Sequence, residues 1–303
     1  MASSGHTHAS GGGYHGGVGA IISVEEVARQ ALEIAREVSV EQLDALAGNK
    51  PHLRIDGLNA GYGQMEILHD FNLRVGRGQS LCLIGPNGAG KSTVLHSIFG
   101  FTNIFSGTVS TTLDGHSLDV TRLSSNEKLH SAGIAYILQD KSVFPGMTVE
   151  ENLWLGAYLM DRKSARHAAD AIFDKYPRLA ARRKHPAKVL SGGERRLLEI
   201  CRALVMNPSV LLVDEPSIGL EPRFIDAVFD ILGNLQHNEG KTIVMVEQNA
   251  KKILGVTDRA AVIERGGIVH EAESAALAAD KTVLEKYLGV ADSDRLRRGK
   301  NRR

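Results

Sequence analysis

"QSLCLIGPNGAGKSTVLHSIFG", residues 79–100, decides the fold. Leu81–Ile84 is an unbroken apolar run, short enough for a buried strand. Gly85, Pro86, Asn87, Gly88, Ala89, Gly90, Lys91 and Ser92 then fit the spacing G-x-x-x-x-G-K-[ST], and Thr93 onward has helical texture. Strand, glycine-rich loop and helix in that order form a cradle for phosphate. Glycines let the backbone N–H groups turn inward around phosphate oxygens, and the helix N-terminus adds partial positive charge. In that cradle Lys91 is expected to reach the terminal phosphates, and Ser92 to hold Mg²⁺.

A phosphate loop needs an acidic counterpart at the end of another buried strand. "VLLVDEP", residues 210–216, supplies Asp214 and Glu215. Asp214 is the candidate for the magnesium ion. Glu215 is the candidate base that polarises the attacking water. Standing alone, the pair would read equally well as carboxylates at a helix start. A third feature lies between these two, "KVLSGGERRLLEICRAL", residues 188–204. Two glycines at a helix start cost helix propensity. Ser191, Gly192 and Gly193 therefore read as a second phosphate-binding helix terminus whose small residues permit close approach. One cradle already holds a triphosphate from one side, so a second suggests a nucleotide held between two subunits.

Outward from these motifs, strands alternate with helical patterns. "SVLLVDEP" and "KTIVMVEQ" are continuous apolar runs, as in a sheet covered on both faces. "HLRIDGLNAGYG" and "MEILHDFNLRV" alternate as half-buried strands, residues 148–180 are mostly helical, and "RAAVIERGGIVHEAE" reads as a hairpin turning at Gly266–Gly267. The expected fold class is α/β: a P-loop NTPase with a mostly parallel sheet, an antiparallel β subdomain and a helical subdomain at about residues 140–195. The division along the chain is a Gly/Ser/His-rich tail at 1–22, a helical extension at 23–50, the nucleotide-binding domain at 51–291 and a basic tail at 292–303.

The first tail is expected to be disordered, since its composition cannot offset ordering entropy. His6, His8 and His15 within it could bind a metal weakly or simply be solvated. In the extension, Ser23–Glu26 and Ser39–Gln42 read as capping boxes of two short helices, the second stopped at Gly48, packing either on this chain or on a partner. The basic tail reads as solvated, with attraction to anionic lipid as the other reading. The 303 residues are 43% hydrophobic and 23% charged with net charge +1, an ordinary globular balance without the basic field that nucleic acid would demand. No apolar run approaches the ~18 residues that span a bilayer. No Lys or Arg precedes Arg29, which argues against a signal peptide. Cys82 and Cys201, far apart and each in an apolar run, read as buried reduced thiols.

"LSGGE" between a P-loop and "LLVDEP" resembles the ATP-binding cassette (ABC) family over about residues 51–290. The resemblance implies an ATPase that forms a head-to-tail dimer with two ATP molecules at the interface. Each site would combine one chain's P-loop and acidic pair with the neighbour's Ser191 and Gly193. Tyr62 would stack on adenine; its other reading is a turn tyrosine. Gln139, in "YILQDKSVFPGMTVEENL", would touch Mg²⁺ and lead to the transmembrane contact surface around Val143–Asn152; its other reading is a surface amide. "SIGLEP", residues 217–222, matches the loop after the catalytic glutamate, with Glu221 where many members carry aspartate.

One departure is informative. In "MVEQNA", residues 245–250, the family's switch histidine falls on Gln248. Glutamine donates an amide N–H to a γ-phosphate but cannot become cationic, so hydrolysis would rest more on Glu215. Together with "TVEENL", "YPRLAARRK", "VEQNAKKIL" and "EKYLGV", this resembles the smaller ATP-binding subunit of branched-chain amino acid importers. That resemblance implies a second ATPase subunit, two permease chains, a periplasmic solute-binding protein acting indirectly, and a peripheral position on the cytoplasmic face of the inner membrane. Importers of urea or short amides share the pattern. A soluble ATPase acting on ribosomes or DNA is another alternative, against which the single P-loop, single "LSGGE" and absence of heptads speak; a nucleotide-binding regulator with little turnover is a third.

Overall fold

The computed structural model describes residues 38–285, apart from 49, 140, 141, 281 and 284. The first tail, the helix expected from Ser23 and the basic tail lie outside the described residues.

The elements in chain order are α1 (Val40–Leu46), β1 (Pro51–Tyr62), β2 (Met65–Gly76), β3 (Ser80–Ile84), α2 (Lys91–Phe99), β4 (Asn103–Leu113), β5 (His116–Asp119), α3 (Ser125–His130) and β6 (Ile134–Ile137). They continue with α4 (Val149–Gly156), α5 (Arg162–Lys175), α6 (Pro177–Ala180), α7 (Gly192–Leu204), β7 (Val210–Asp214), α8 (Pro222–His237) and β8 (Thr242–Val246). Last come α9 (Ala250–Ile253), β9 (Arg259–Glu264), β10 (Gly267–Glu273) and α10 (Ser274–Ala279).

Two sheets organise the chain. A six-stranded sheet runs in the order β10-β9-β3-β8-β7-β6, with only β10 antiparallel to its neighbour. A four-stranded antiparallel sheet runs β2-β1-β4-β5. The unbroken apolar strands feed both faces of the larger sheet, because successive side chains alternate. Cys82, Ile84, Leu211, Val213, Ile243 and Met245 face one cluster with residues of α4, α5, α7 and α8. Leu81, Leu83, Leu212, Val244 and Val246 face another, with Val94, Leu95 and Ile98 of α2 and the apolar side of the antiparallel sheet. Both cysteines are buried free thiols, as composition suggested.

Two local readings are refined. The final hairpin turns at Arg265–Gly266, whose φ angles are 48° and 80°; Gly267 already pairs with Glu264. That is one residue earlier than expected, and it places a non-glycine in left-handed backbone. The capping box at Ser39 is present in both directions, Ser39 Oγ accepting from the Gln42 backbone and Gln42 Oε1 from Ser39 N–H. Its helix packs on this chain: Leu43 is buried, and Asp44 accepts from Arg74 Nε at 3.0 Å. Gln79 Nε2 caps the Leu46 carbonyl at 3.0 Å.

Arg74 is fully buried and also bonds Asp56 and the carbonyls of Ile55 and Leu73. Because those partners persist and Asp44 is partly solvated, Asp44→Ala should cost about 1.5 kcal/mol, the low end for one hydrogen bond to a charged group. Urea unfolding checks it, and a change below a few tenths of a kcal/mol would show that α1 is not fastened to β2 by this pair.

Candidate nucleotide-binding site

In open α/β sheets ligands bind beyond the carboxyl ends of the strands. Here β3, β8, β7 and β6 are neighbours in that order. The residues following each are the phosphate loop after Ile84, Gln248 after Val246, Glu215 after Asp214 and Gln139 after Ile137. Strand order alone therefore gathers four motifs that are far apart in the chain.

The phosphate loop closes tightly on its surroundings. Gly85 has φ 149°, and a β-carbon there would stand 2.2 Å from the Ile263 carbonyl oxygen, so only glycine fits. Lys91 opens α2, is 7% exposed and folds back over the loop, donating to the carbonyls of Gly85 at 2.9 Å and Pro86 at 2.8 Å. Burial draws its ammonium below the ordinary lysine range, while the carboxylates of Glu215 and Asp214 pull the other way. Ser92 Oγ donates to Asp214 Oδ1 at 3.3 Å.

Glu215 is the centre of the cluster. Gln139 Nε2 donates to its Oε2 at 2.8 Å and Gln248 Nε2 to its Oε1 at 2.7 Å. Both glutamines of the sequence reading thus converge on this carboxylate, and each of its oxygens is engaged. Glu215 also has φ 42°, a left-handed conformation unfavourable for a non-glycine residue, and its N–H bonds the Val246 carbonyl at 2.9 Å. Strain of this kind persists only where the surroundings over-determine it.

Four groups that sequence reading did not single out support the cluster. Tyr136 of β6 donates from its hydroxyl to Asp214 Oδ2 at 2.9 Å. Burial first, and the Asp214 charge second, push the Tyr136 phenol far above the ordinary tyrosine range, so it remains a donor. Arg196 of α7, 4% exposed, donates to the Leu138 carbonyl at 2.9 Å and to Glu199 at 2.8 Å, tying α7 to the loop that carries Gln139. Glu247 Oε1 accepts from the backbone N–H of Gln248 at 2.8 Å and of Asn249 at 3.1 Å; its Oε2 accepts from Ser217 at 3.3 Å. His96 Nδ1 bonds the Tyr62 hydroxyl. Burial lowers the His96 pKa, which favours the neutral ring. Of these only Glu247, the polar residue that follows the apolar β8, carried a hint in the sequence; Tyr136 lies within β6, and Arg196 and His96 lie on helices.

Tyr62 stands at the end of β1, 41% exposed, with the His96 ring edge-on to it at 6.0 Å between centroids. Ser191, Gly192 and Gly193 lie apart from the phosphate loop. Ser191 caps α7 with Glu194, and the stretch opens on a cavity of about 660 Å³ walled by α6, α7 and α8. Gly193 has a reason within this chain as well: a β-carbon there would meet the Phe224 ring at 2.4 Å. The glycine expected for close approach to phosphate is thus also required by packing on α8.

The oxygen donors beside the loop, Ser92 Oγ and the Asp214 carboxylate, suit a hard cation. Among the described residues no cluster of three His, Cys, Asp or Glu side chains is placed to hold a metal by protein groups alone, and no helix is long and apolar enough to cross a membrane.

The sequence model of the ABC transporter family matches residues 68–218. A high-affinity branched-chain amino acid transport ATP-binding protein of Pseudomonas aeruginosa is 39% identical over 237 residues, 78% of this chain and 99% of that protein. A probable branched-chain amino acid transport ATP-binding protein of Archaeoglobus fulgidus is 37% identical over 79% of this chain and 100% of that protein. Among solved structures, the ADP conformation of an ATP-binding cassette of an ABC transporter matches 80% of this chain and 99% of its own, with TM-score 0.68 and 26% identity. Likeness of that extent, running through the phosphate loop, the acidic strand end and the Ser191–Gly193 helix start alike, makes the chain a member of the ABC transporter family and one of its ATPases.

Proposed function

We propose that this ATPase is the nucleotide-hydrolysing subunit of a membrane importer for branched-chain or other hydrophobic amino acids. Two such cassettes, this one and a similar second subunit, close face to face on ATP. Each triphosphate lies between the phosphate loop of one and the Ser191–Gly193 helix start of the other. The exposed position of Ser191, apart from its own chain's loop, supports this arrangement, because a helix N-terminus of this kind leaves backbone N–H groups available to an anion.

The donor set fits Mg²⁺, which takes few protein oxygens and shares the rest of its shell with phosphates and water. Ser92 and Asp214 would hold it, with Gln139 at the edge. When bound, the ion neutralises charge building on the phosphate oxygens. The remaining work falls to the chain. Backbone N–H groups of residues 87–92 and the Lys91 ammonium orient the phosphates. Tyr62 stacks on the base. Glu215 accepts a proton from the attacking water, and Gln248 donates an amide N–H toward the terminal phosphate.

Hydrolysis requires a free oxygen on Glu215, and both are engaged by Gln139 and Gln248 in this structure. Closure of the dimer would then draw the two amides onto phosphate and cation, unmasking the base. Gln139 continues into the segment that would face permease chains. There Phe144 is 51% and Val189 55% exposed, and their chain neighbours Pro145 and Lys188 are joined by the Lys188 N–H to Pro145 carbonyl bond of 2.9 Å. Exposed apolar side chains at such a point suit a partner surface at the cytoplasmic face of the membrane.

The observation that carries the amino-acid reading is Gln248 bonded to Glu215, on a chain 37–39% identical to two branched-chain amino acid transport proteins. The test is to purify the chain with its partners from membranes and to measure uptake of labelled leucine, urea and a short amide in cells carrying Glu215→Gln. Copurified permease chains and selective loss of leucine uptake are expected. Uptake of leucine at the normal rate, with loss of another solute, would replace the substrate class.

A further inference from the structure

We propose that Tyr136 is a positioning residue for the divalent cation, holding the Asp214 carboxylate in the orientation that the metal requires. The inference rests on the reading of Asp214 and Ser92 as the magnesium site. Asp214 ends β7 and is 5% exposed, so its carboxylate has little water to satisfy it. Its two oxygens have different partners. Oδ1 receives Ser92 Oγ at 3.3 Å, a long contact that a cation drawing on both oxygens would replace. Oδ2 receives Tyr136 Oη at 2.9 Å, a sound hydrogen bond that commits this oxygen to the tyrosine. One oxygen is thus kept for the metal and the other is fastened.

The fastening is rigid. β6 and β7 pair in parallel with Tyr136 opposite Leu212, so the ring lies alongside the strand it supports. Its ring is wedged among Phe99 at 5.5 Å, His96 at 5.8 Å and Phe101 at 5.8 Å between centroids. Phe99 and His96 belong to α2, the helix that opens with Lys91 and Ser92. His96 in turn bonds Tyr62, the candidate base-stacking side chain. Tyr136 therefore ties the carboxylate to the helix that carries the other proposed ligand. A carboxylate oriented by a second partner has its lone pairs preset, which is how groups behind the ligands tune metal sites; their loss typically weakens metal binding ~10–100-fold.

Tyr136→Phe removes the hydroxyl and keeps the ring. Mn²⁺ serves as the probe, titrated by electron paramagnetic resonance against the full chain with a non-hydrolysable ATP analogue. The expected result is about tenfold weaker Mn²⁺ binding, with analogue affinity in excess EDTA changed less than about twofold. A tyrosine that merely fills the core would lower the melting temperature and leave the Mn²⁺ isotherm in place; that outcome overturns the proposal. Phe99→Leu, which loosens the wedge but keeps the hydroxyl, should weaken Mn²⁺ binding by a smaller factor, and it decides the matter if Tyr136→Phe does not fold. Wild-type chain that binds no Mn²⁺ with the analogue would overturn the magnesium reading of Ser92 and Asp214 and this inference with it. Normal wild-type binding with an unaffected Tyr136→Phe isotherm overturns the inference alone.

Discussion

Glu215→Gln lowers steady-state ATP hydrolysis by roughly 10²–10⁴-fold, the usual contribution of a positioned general base, and leaves ATP affinity within about threefold of wild type. The side chain keeps its length and the strained backbone it stands on, since glutamine gains nothing at φ 42° that glutamate lacked. Binding survives because the carboxylate lies beyond the phosphate loop, engaged with Gln139 and Gln248 rather than with Lys91 or Ser92. What changes is acceptor capacity. A carboxylate accepts at both oxygens, whereas an amide presents one acceptor and one donor group. In the variant one of the two glutamine amides faces an N–H and must let go or turn its own oxygen toward it. Phosphate release at saturating ATP, with binding followed by a fluorescent nucleotide, separates the two effects. Turnover within threefold of wild type would remove Glu215 from the reaction.

The same three residues show how far the sequence could be read. Gln139, Glu215 and Gln248 each follow an apolar strand, and each was singled out separately by motif. Their meeting depends on β6, β7 and β8 being adjacent in the sheet, an ordering that periodicity does not encode. The phosphate loop was legible because its glycines are forced by local backbone demands, as at Gly88 and Gly90, whose φ angles are 80° and 103°. Gly193 was legible as a glycine but only half explained, since Phe224, thirty-one positions away, is what its missing side chain makes room for. Residues 101–135, with β4, β5 and α3, carried no clear signal. In β4 few side chains are buried, so the strand lacks the apolar alternation that marks a half-buried one. Tyr136 was invisible for a different reason: a tyrosine in an apolar strand looks like core until the carboxylate beneath its hydroxyl is known.

Lys91→Ala should weaken ATP binding by about 10²–10³-fold. The estimate follows from exchanging partners. In this structure the ammonium donates to two neutral carbonyls, Gly85 at 2.9 Å and Pro86 at 2.8 Å. Reaching a triphosphate means surrendering those bonds for anionic oxygens, and hydrogen bonds between ions are roughly twice as strong as neutral ones. The net gain is the difference, on the order of 3–4 kcal/mol when two charge-assisted bonds form beside a helix N-terminus in a site largely closed to water. The same deletion acts on the resting protein. Lys91 is the cation whose field reaches both Asp214 and Glu215, each less than a tenth exposed. Without it two buried carboxylates lose the ammonium beside them, and their negative charge opposes an incoming triphosphate. Lys91→Arg tests geometry apart from charge: its planar fork does not reproduce the single ammonium bridging two carbonyls, so affinity should recover only in part. A nucleotide titration giving Lys91→Ala an affinity within threefold of wild type would mean that the loop holds phosphate through its backbone alone.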